Sequence, residues 1–106
     1  MFFELRQYRI KAGQRDKWVN LMEEEIIPFQ ISKGMVVVGS FIGQEEGDLY
    51  VWIRRFESEE ERERLYKEVY ESDYWQNEMS PQIDKMLDRE RIQVTLLEAT
   101  PKSVIQ

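Results

Sequence analysis

Glu4, Arg6 and Tyr8 alternate near the start of the chain, in a stretch rich in Phe, Tyr and Ile. Successive side chains of an extended strand point to opposite faces, so these three share one face: an acid, a guanidinium and a phenol side by side. Two kinds of chemistry fit that trio. A guanidinium clamps a carboxylate or an enolate, a phenol donates a proton, and an acid orients the guanidinium. Alternatively, Glu4 and Arg6 satisfy one another, as buried opposite charges must. Tyr50, Trp52 and Arg54 repeat the alternation later in the chain and would complete an aromatic-walled pocket with an anion-binding end. For Trp52, core or interface packing is the simpler role. Trp18 and Trp75 recur at helical spacing, where a tryptophan is most simply core with its N–H reaching a partner. The candidate ligand-binding residues are therefore Glu4, Arg6, Tyr8, Tyr50, Trp52, Arg54 and Trp75, with no catalytic role assigned to any of them.

Composition limits the rest of the chemistry. The 106 residues contain no cysteine and no histidine. Thiolate nucleophiles, disulfides, zinc ribbons and iron-sulfur clusters go with the first, and a reducing, cytoplasmic compartment fits. The commonest metal ligand, the usual base near neutrality and the common proximal haem ligand go with the second. The carboxylates lack the spacing of a calcium loop, and the glycines lack that of a phosphate loop. No metal and no cofactor is expected. A formal charge of −6 argues against nucleic acid and anionic membrane surfaces as partners. No apolar run approaches the ~20 residues of a membrane span, and Met1-Phe2-Phe3-Glu4 lacks the pattern of a signal peptide.

The elements that position these residues follow from periodicity. Phe2 to Ile10 alternates and stops at Lys11-Ala12-Gly13, which predicts a strand and a glycine turn. Trp18, Met22, Ile26 and Phe29 recur at helical spacing from about Gln14 to Ser32. Pro28 should kink or split that helix, and Gly34 should end it. Met35 to Gly43 and Asp48 to Phe56 read as a hairpin. Ser58 with Glu61 forms a capping box ahead of a helix carrying Leu65, Tyr66, Val69 and Tyr70. A further helical segment from Ser72-Asp73 carries Trp75, Met79, Ile83 and Met86, with Pro81 as a second kink point. Arg91 to Ala99 alternates again.

The order βαββαβ predicts one α+β domain over 1–106, with the ferredoxin-like fold: one four-stranded antiparallel sheet, strands one and three central, helices on one side. Pairing Gly43 with Asp48 sets Val38, Ser40 and Ile42 against Ile53, Val51 and Leu49. The other face then carries Val37, Gly39 and Phe41 against Tyr50, Trp52 and Arg54, with Trp52 lying across Gly39. One face is covered by the helices; the other would expose large apolar side chains, the mark of an interface. Homodimerisation through that sheet face is expected.

Glu4-Leu5-Arg6-Gln7-Tyr8, Val36 to Phe41 (VVVGSF), Val51-Trp52 and Asp73-Tyr74-Trp75, in that order, resemble the NIPSNAP family. The resemblance implies the dimeric α+β barrel, in which two ferredoxin-like subunits pack sheet against sheet. Relatives carry histidine two places before the tryptophan, where this chain has Tyr50. The wider superfamily includes cofactor-independent monooxygenases, isomerases and cyclases acting on apolar or aromatic compounds, and members that bind or degrade haem. The absence of histidine counts against haem. Two classes of function are left: a homodimeric small-molecule-binding domain, with catalysis an open question, and a non-catalytic interaction or assembly module whose dimer interface is the function.

Overall fold

The alternation of the first stretch forms strand β1 (Phe2–Arg9) in the computed structural model, which describes residues 1–106. Next come α1 (Arg15–Leu21), a π-helical turn (Met22–Ile26), α2 (Ile27–Ser32), β2 (Val36–Ile42) and β3 (Leu49–Phe56). The chain continues through α3 (Glu59–Tyr70), a second π-helical turn (Trp75–Met79), α4 (Ser80–Met86), a 3-10 turn (Arg89–Arg91) and β4 (Gln93–Leu97). The strands pair antiparallel in the order β2-β3-β1-β4, with β1 and β3 central as expected of this α+β fold. No helix is long and apolar enough to cross a membrane.

Local signals account for most element ends. Ser58 Oγ accepts the Glu61 backbone N–H at 3.1 Å, and Glu61 reaches back to accept the N–H of Glu57. Two donors at the start of α3 are thereby satisfied. Gly34 takes φ of +108° just past α2, a conformation that favours glycine. At Pro28 and Pro81 the helical backbone continues, but the α geometry is interrupted just before each. Each proline lies in the first turn of an α segment, directly after a π turn. Proline lacks an N–H and its ring crowds the carbonyl four residues back. The wider π turn, bonded over five residues, relieves that crowding.

Even-numbered residues of β1 and β3 turn toward the helices. Tyr8, Tyr50 and Trp52 pack with Trp18, Met22, Ile26, Met79 and Ile83 in the larger core cluster. Phe56 packs with Met35, Leu65 and Val69 in a smaller one. The opposite face carries Leu5, Val51 and Ile53, half-buried, with Val36, Phe41 and Leu97 exposed; Phe41 has 54% of its surface free. Part of this face borders a shallow groove whose far side is the C-terminal segment, through Ala99, Ser103 and Ile105.

The hairpin register departs from the simple alternation. Val37 pairs with Arg54, but Gly39 pairs with Ile53, Ser40 with Trp52 and Ile42 with Tyr50. Val38 is the extra residue of a β-bulge, which slides the rest of β2 by one position and exchanges its faces. Ser40 therefore comes to the helix side, where its hydroxyl and that of Tyr50 share a 2.5 Å hydrogen bond. Gly39 does make room for an aromatic ring, but the ring is that of Phe41: a Cβ at Gly39 would lie 2.6 Å from it. Trp52 belongs to the helix-covered core and cannot pack across Gly39 at a sheet-to-sheet interface.

Candidate functional site

A cavity of about 380 Å³ lies between the sheet and the helical layer. β1 contributes Arg6 and Tyr8, and β3 contributes Trp52; α1 and its π turn supply Trp18 and Met22. α3 contributes Tyr66 and Tyr70, and the second π turn contributes Trp75 and Gln76. Ser80 and Arg89 complete the rim. Both π turns thus border the space, each widening its helix where the cavity needs room.

Glu4 and Arg54, directly opposite one another on β1 and β3, form the floor of a buried ion network. Arg54 donates to Glu4 Oε1 through Nη2 at 2.5 Å and Nε at 3.2 Å. Arg62 of α3 donates to Glu4 Oε2 at 2.8 Å, and the Tyr66 hydroxyl donates to the same oxygen. Arg54 Nη1 donates to Gln30 Oε1 and to the Tyr70 hydroxyl, both at 2.7 Å. One carboxylate therefore serves two close guanidiniums, and Arg62 has a second partner in Glu59.

Arg6 is the cation left over. Its Nη1 lies 3.7 Å from Glu4 Oε1, an oxygen already taken by Arg54. Its hydrogen bonds go to phenols: Nε donates to Tyr8 at 2.8 Å and Nη1 to Tyr66 at 3.4 Å. Tyr8 also accepts the Trp52 indole N–H at 2.9 Å. With both lone-pair positions of Tyr8 occupied, its own hydrogen has no acceptor. Tyr70 is in the same state, accepting from Arg54 and, at 3.4 Å, from Gln30. The Trp18 indole nitrogen is buried without any partner. Three donors of lining residues are thus uncommitted beside an under-compensated guanidinium, and no Asp, Glu or His lines the cavity.

Ionisation follows from these contacts. Burial pushes the Glu4 carboxyl up, but Arg54, the Tyr66 hydroxyl and Arg6 outweigh it and hold the group at about 2. Burial raises the Tyr8 phenol above its ordinary range despite the opposing Arg6 charge. Burial likewise lifts Tyr66 to about 12. Near neutrality Glu4 is a paired carboxylate, poorly suited to accept a proton, and the Tyr8 and Tyr66 phenols remain O–H donors. Such a space offers hydrogens and positive charge to an anionic oxygen, and flat aromatic faces to whatever carries it.

Of the residues marked by sequence, Arg6, Tyr8, Trp52 and Trp75 meet at the cavity. Glu4 and Arg54 lie behind it, fully buried against each other rather than open to a ligand. Tyr50 is also behind it, stacked on Tyr8 with ring centroids 6.0 Å apart and held by Ser40. The expected Glu4–Arg6 pair is present at 3.7 Å but is secondary to the closer pairs of Glu4 with Arg54 and Arg62, because the β1–β3 register puts Arg54 opposite the acid. Sequence reading missed Arg62, Tyr66 and Tyr70 as members of the polar cluster. Their spacing of four residues on α3 was the available signal: a polar and aromatic row on a face that otherwise buries Leu65 and Val69.

Comparison with known proteins places the chain among relatives. The NIPSNAP family model matches residues 3–103. A crystal structure of a protein from Agrobacterium tumefaciens superposes with a TM-score of 0.90 at 23% identity, covering 100% of both chains. A NIPSNAP family protein from the same organism has a TM-score of 0.87 at 22% identity, over 99% of this chain and 98% of that one. An antibiotic biosynthesis monooxygenase shares the fold more distantly, with a TM-score of 0.70 at 17% identity over 95% of this chain and 100% of that one. No protein of curated function matches the chain.

Proposed function

The chain belongs to the NIPSNAP family, and from that premise and the chemistry of the cavity we propose that it is a homodimeric domain binding a small, flat organic anion between its sheet and its helices. The observation that carries the proposal is Arg6. With only 17% of its side chain exposed, the guanidinium is paired loosely, 3.7 Å from a carboxylate oxygen that Arg54 holds more closely, so it has charge to spare for a ligand. An anionic ligand oxygen takes up that charge, and the tryptophan and tyrosine walls supply apolar contact. The exposed apolar residues of the opposite sheet face support self-association through that face, in the manner of a dimeric α+β barrel. The lack of cysteine favours a reducing, cytoplasmic setting.

Turnover of the bound compound would belong to the cofactor-independent class, in keeping with the fold shared with an antibiotic biosynthesis monooxygenase. The same exposed sheet face favours the second reading, a non-catalytic assembly module in which the interface is the function. The two are separated by ligand binding. Carboxylate-bearing aromatic compounds are screened by thermal shift, and hits are titrated by calorimetry into the parent and into Arg6→Met. Binding to the parent, weakened about tenfold or more by the substitution, is the expected result. A parent that binds nothing across a broad panel would leave the assembly module in possession.

A further inference from the structure

We propose that the cavity takes a phenol or enol acidified by a conjugated acceptor, and takes it as the oxyanion, its proton leaving to water. The inference rests on the reading of the cavity as a ligand site and goes beyond it in fixing the ionisation state. A continuous run of contacts supports the cradle. Tyr8 Oη lies 2.8 Å from Arg6 Nε, and Arg6 Nη1 lies 3.4 Å from Tyr66 Oη. Tyr66 Oη is 3.1 Å from Arg54 Nη2, and Arg54 Nη1 is 2.7 Å from Tyr70 Oη. Both ends of this run are phenols whose lone pairs accept and whose hydrogens have no taker.

A neutral hydroxyl brought to this cradle would need an acceptor for its hydrogen. Tyr66 already donates to Glu4 and accepts from guanidiniums. The neutral acceptors left on the lining are Ser80, whose Oγ takes a hydrogen bond from Arg89, and Gln76, which is exposed at the mouth. The oxyanion has no such need and can accept from the Tyr8 hydroxyl and from Arg6 beside it. A charge delocalised over a flat ring also loses less hydration on burial than a compact carboxylate, and it can lie against the Trp52 and Trp75 side chains that line the cavity. The Arg6 charge and the Tyr8 hydroxyl favour the oxyanion, so the bond to hydrogen breaks with the electron pair kept on oxygen, and, as no lining side chain is a base, water carries the proton away.

The probe is 4-nitrophenol, whose neutral and ionised forms have separate absorption bands, with 4-nitroanisole as the analogue that cannot ionise. At pH 6 the protein should bring up the phenolate band, lowering the dye's apparent pKa by about one unit, a tenfold change in its ionisation constant. Binding should release protons, seen as a dependence of the binding heat on buffer ionisation. Tyr8→Phe removes the free hydrogen together with the oxygen that accepts from Arg6 and Trp52, so it should lower the melting temperature by several degrees and diminish the phenolate signal of the folded protein; Arg6→Met should abolish that signal. Dye bound with the spectrum of its neutral form, or nitroanisole bound as tightly as nitrophenol, overturns the proposal and leaves the ligand site standing. Failure to bind the dye by a protein that does bind aromatic carboxylates has the same effect. Failure to bind any of these compounds overturns both.

Discussion

Glu4 and Arg6 are two residues apart, and neighbours on one face are the natural pair to propose. The structure instead divides their work: Glu4 closes the floor with Arg54 and Arg62, and Arg6 faces the cavity with phenols for partners. The difference separates stability from binding. Arg54→Met removes the principal counter-charge of a fully buried carboxylate and should cost ~3 to 5 kcal/mol. Arg6→Met leaves Glu4 paired and should cost only ~1 kcal/mol, the worth of the hydrogen bonds it gives up. Urea denaturation of the two variants checks the order; equal losses would mean that Arg6 is part of the structural network. The alternations were legible because period two is local. Which acid met which guanidinium was not, since that depends on closing some 50 residues between β1 and β3 into one register.

At the scale of elements, the network fastens α3 to the sheet beside the apolar packing of Leu65 and Val69 on Phe56, since Arg62 and Tyr66 both converge on a carboxylate of β1. Glu4 titrates at about 2 in the folded chain, against an ordinary 4.5. A folded-state pKa below the unfolded value means that the native state binds fewer protons. Its contribution, about 3 kcal/mol, is complete above pH 4.5 and is lost as the pH falls through about 2. Stability measured by denaturant from pH 7 down to pH 2.5 should fall across that window, and Glu4→Gln should flatten the fall; an unchanged slope in the variant would assign the acid sensitivity to other carboxylates. Strand and helix positions could be read from periodicity and from the Ser58–Glu61 box. The bulge at Val38 could not: Val36, Val37 and Val38 are one residue type in a row, so nothing local marks which of them is extra. That single residue decided which of Ser40 and Phe41 faces the helices.

At the scale of the whole molecule, the two faces of the sheet have separate tasks: one encloses the cavity, the other leaves Phe41 and Leu97 exposed beside half-buried Val51 and Ile53. The second face is where self-association is expected. Light scattering of the parent at micromolar concentration should give twice the 12.9 kDa chain mass, and Val51→Glu should give the single chain with the helix-side core intact. A parent with the mass of one chain would remove the dimer from the account. The anion site is tested by a crystal structure grown with the tightest-binding aromatic acid from the screen. Density for the ring is expected between Trp52 and Trp75, with the acid oxygen within hydrogen-bond distance of Arg6 and the Tyr8 hydroxyl. A ligand seated on the open sheet face, or turned with its acid toward Arg89 at the rim, would contradict the anion site.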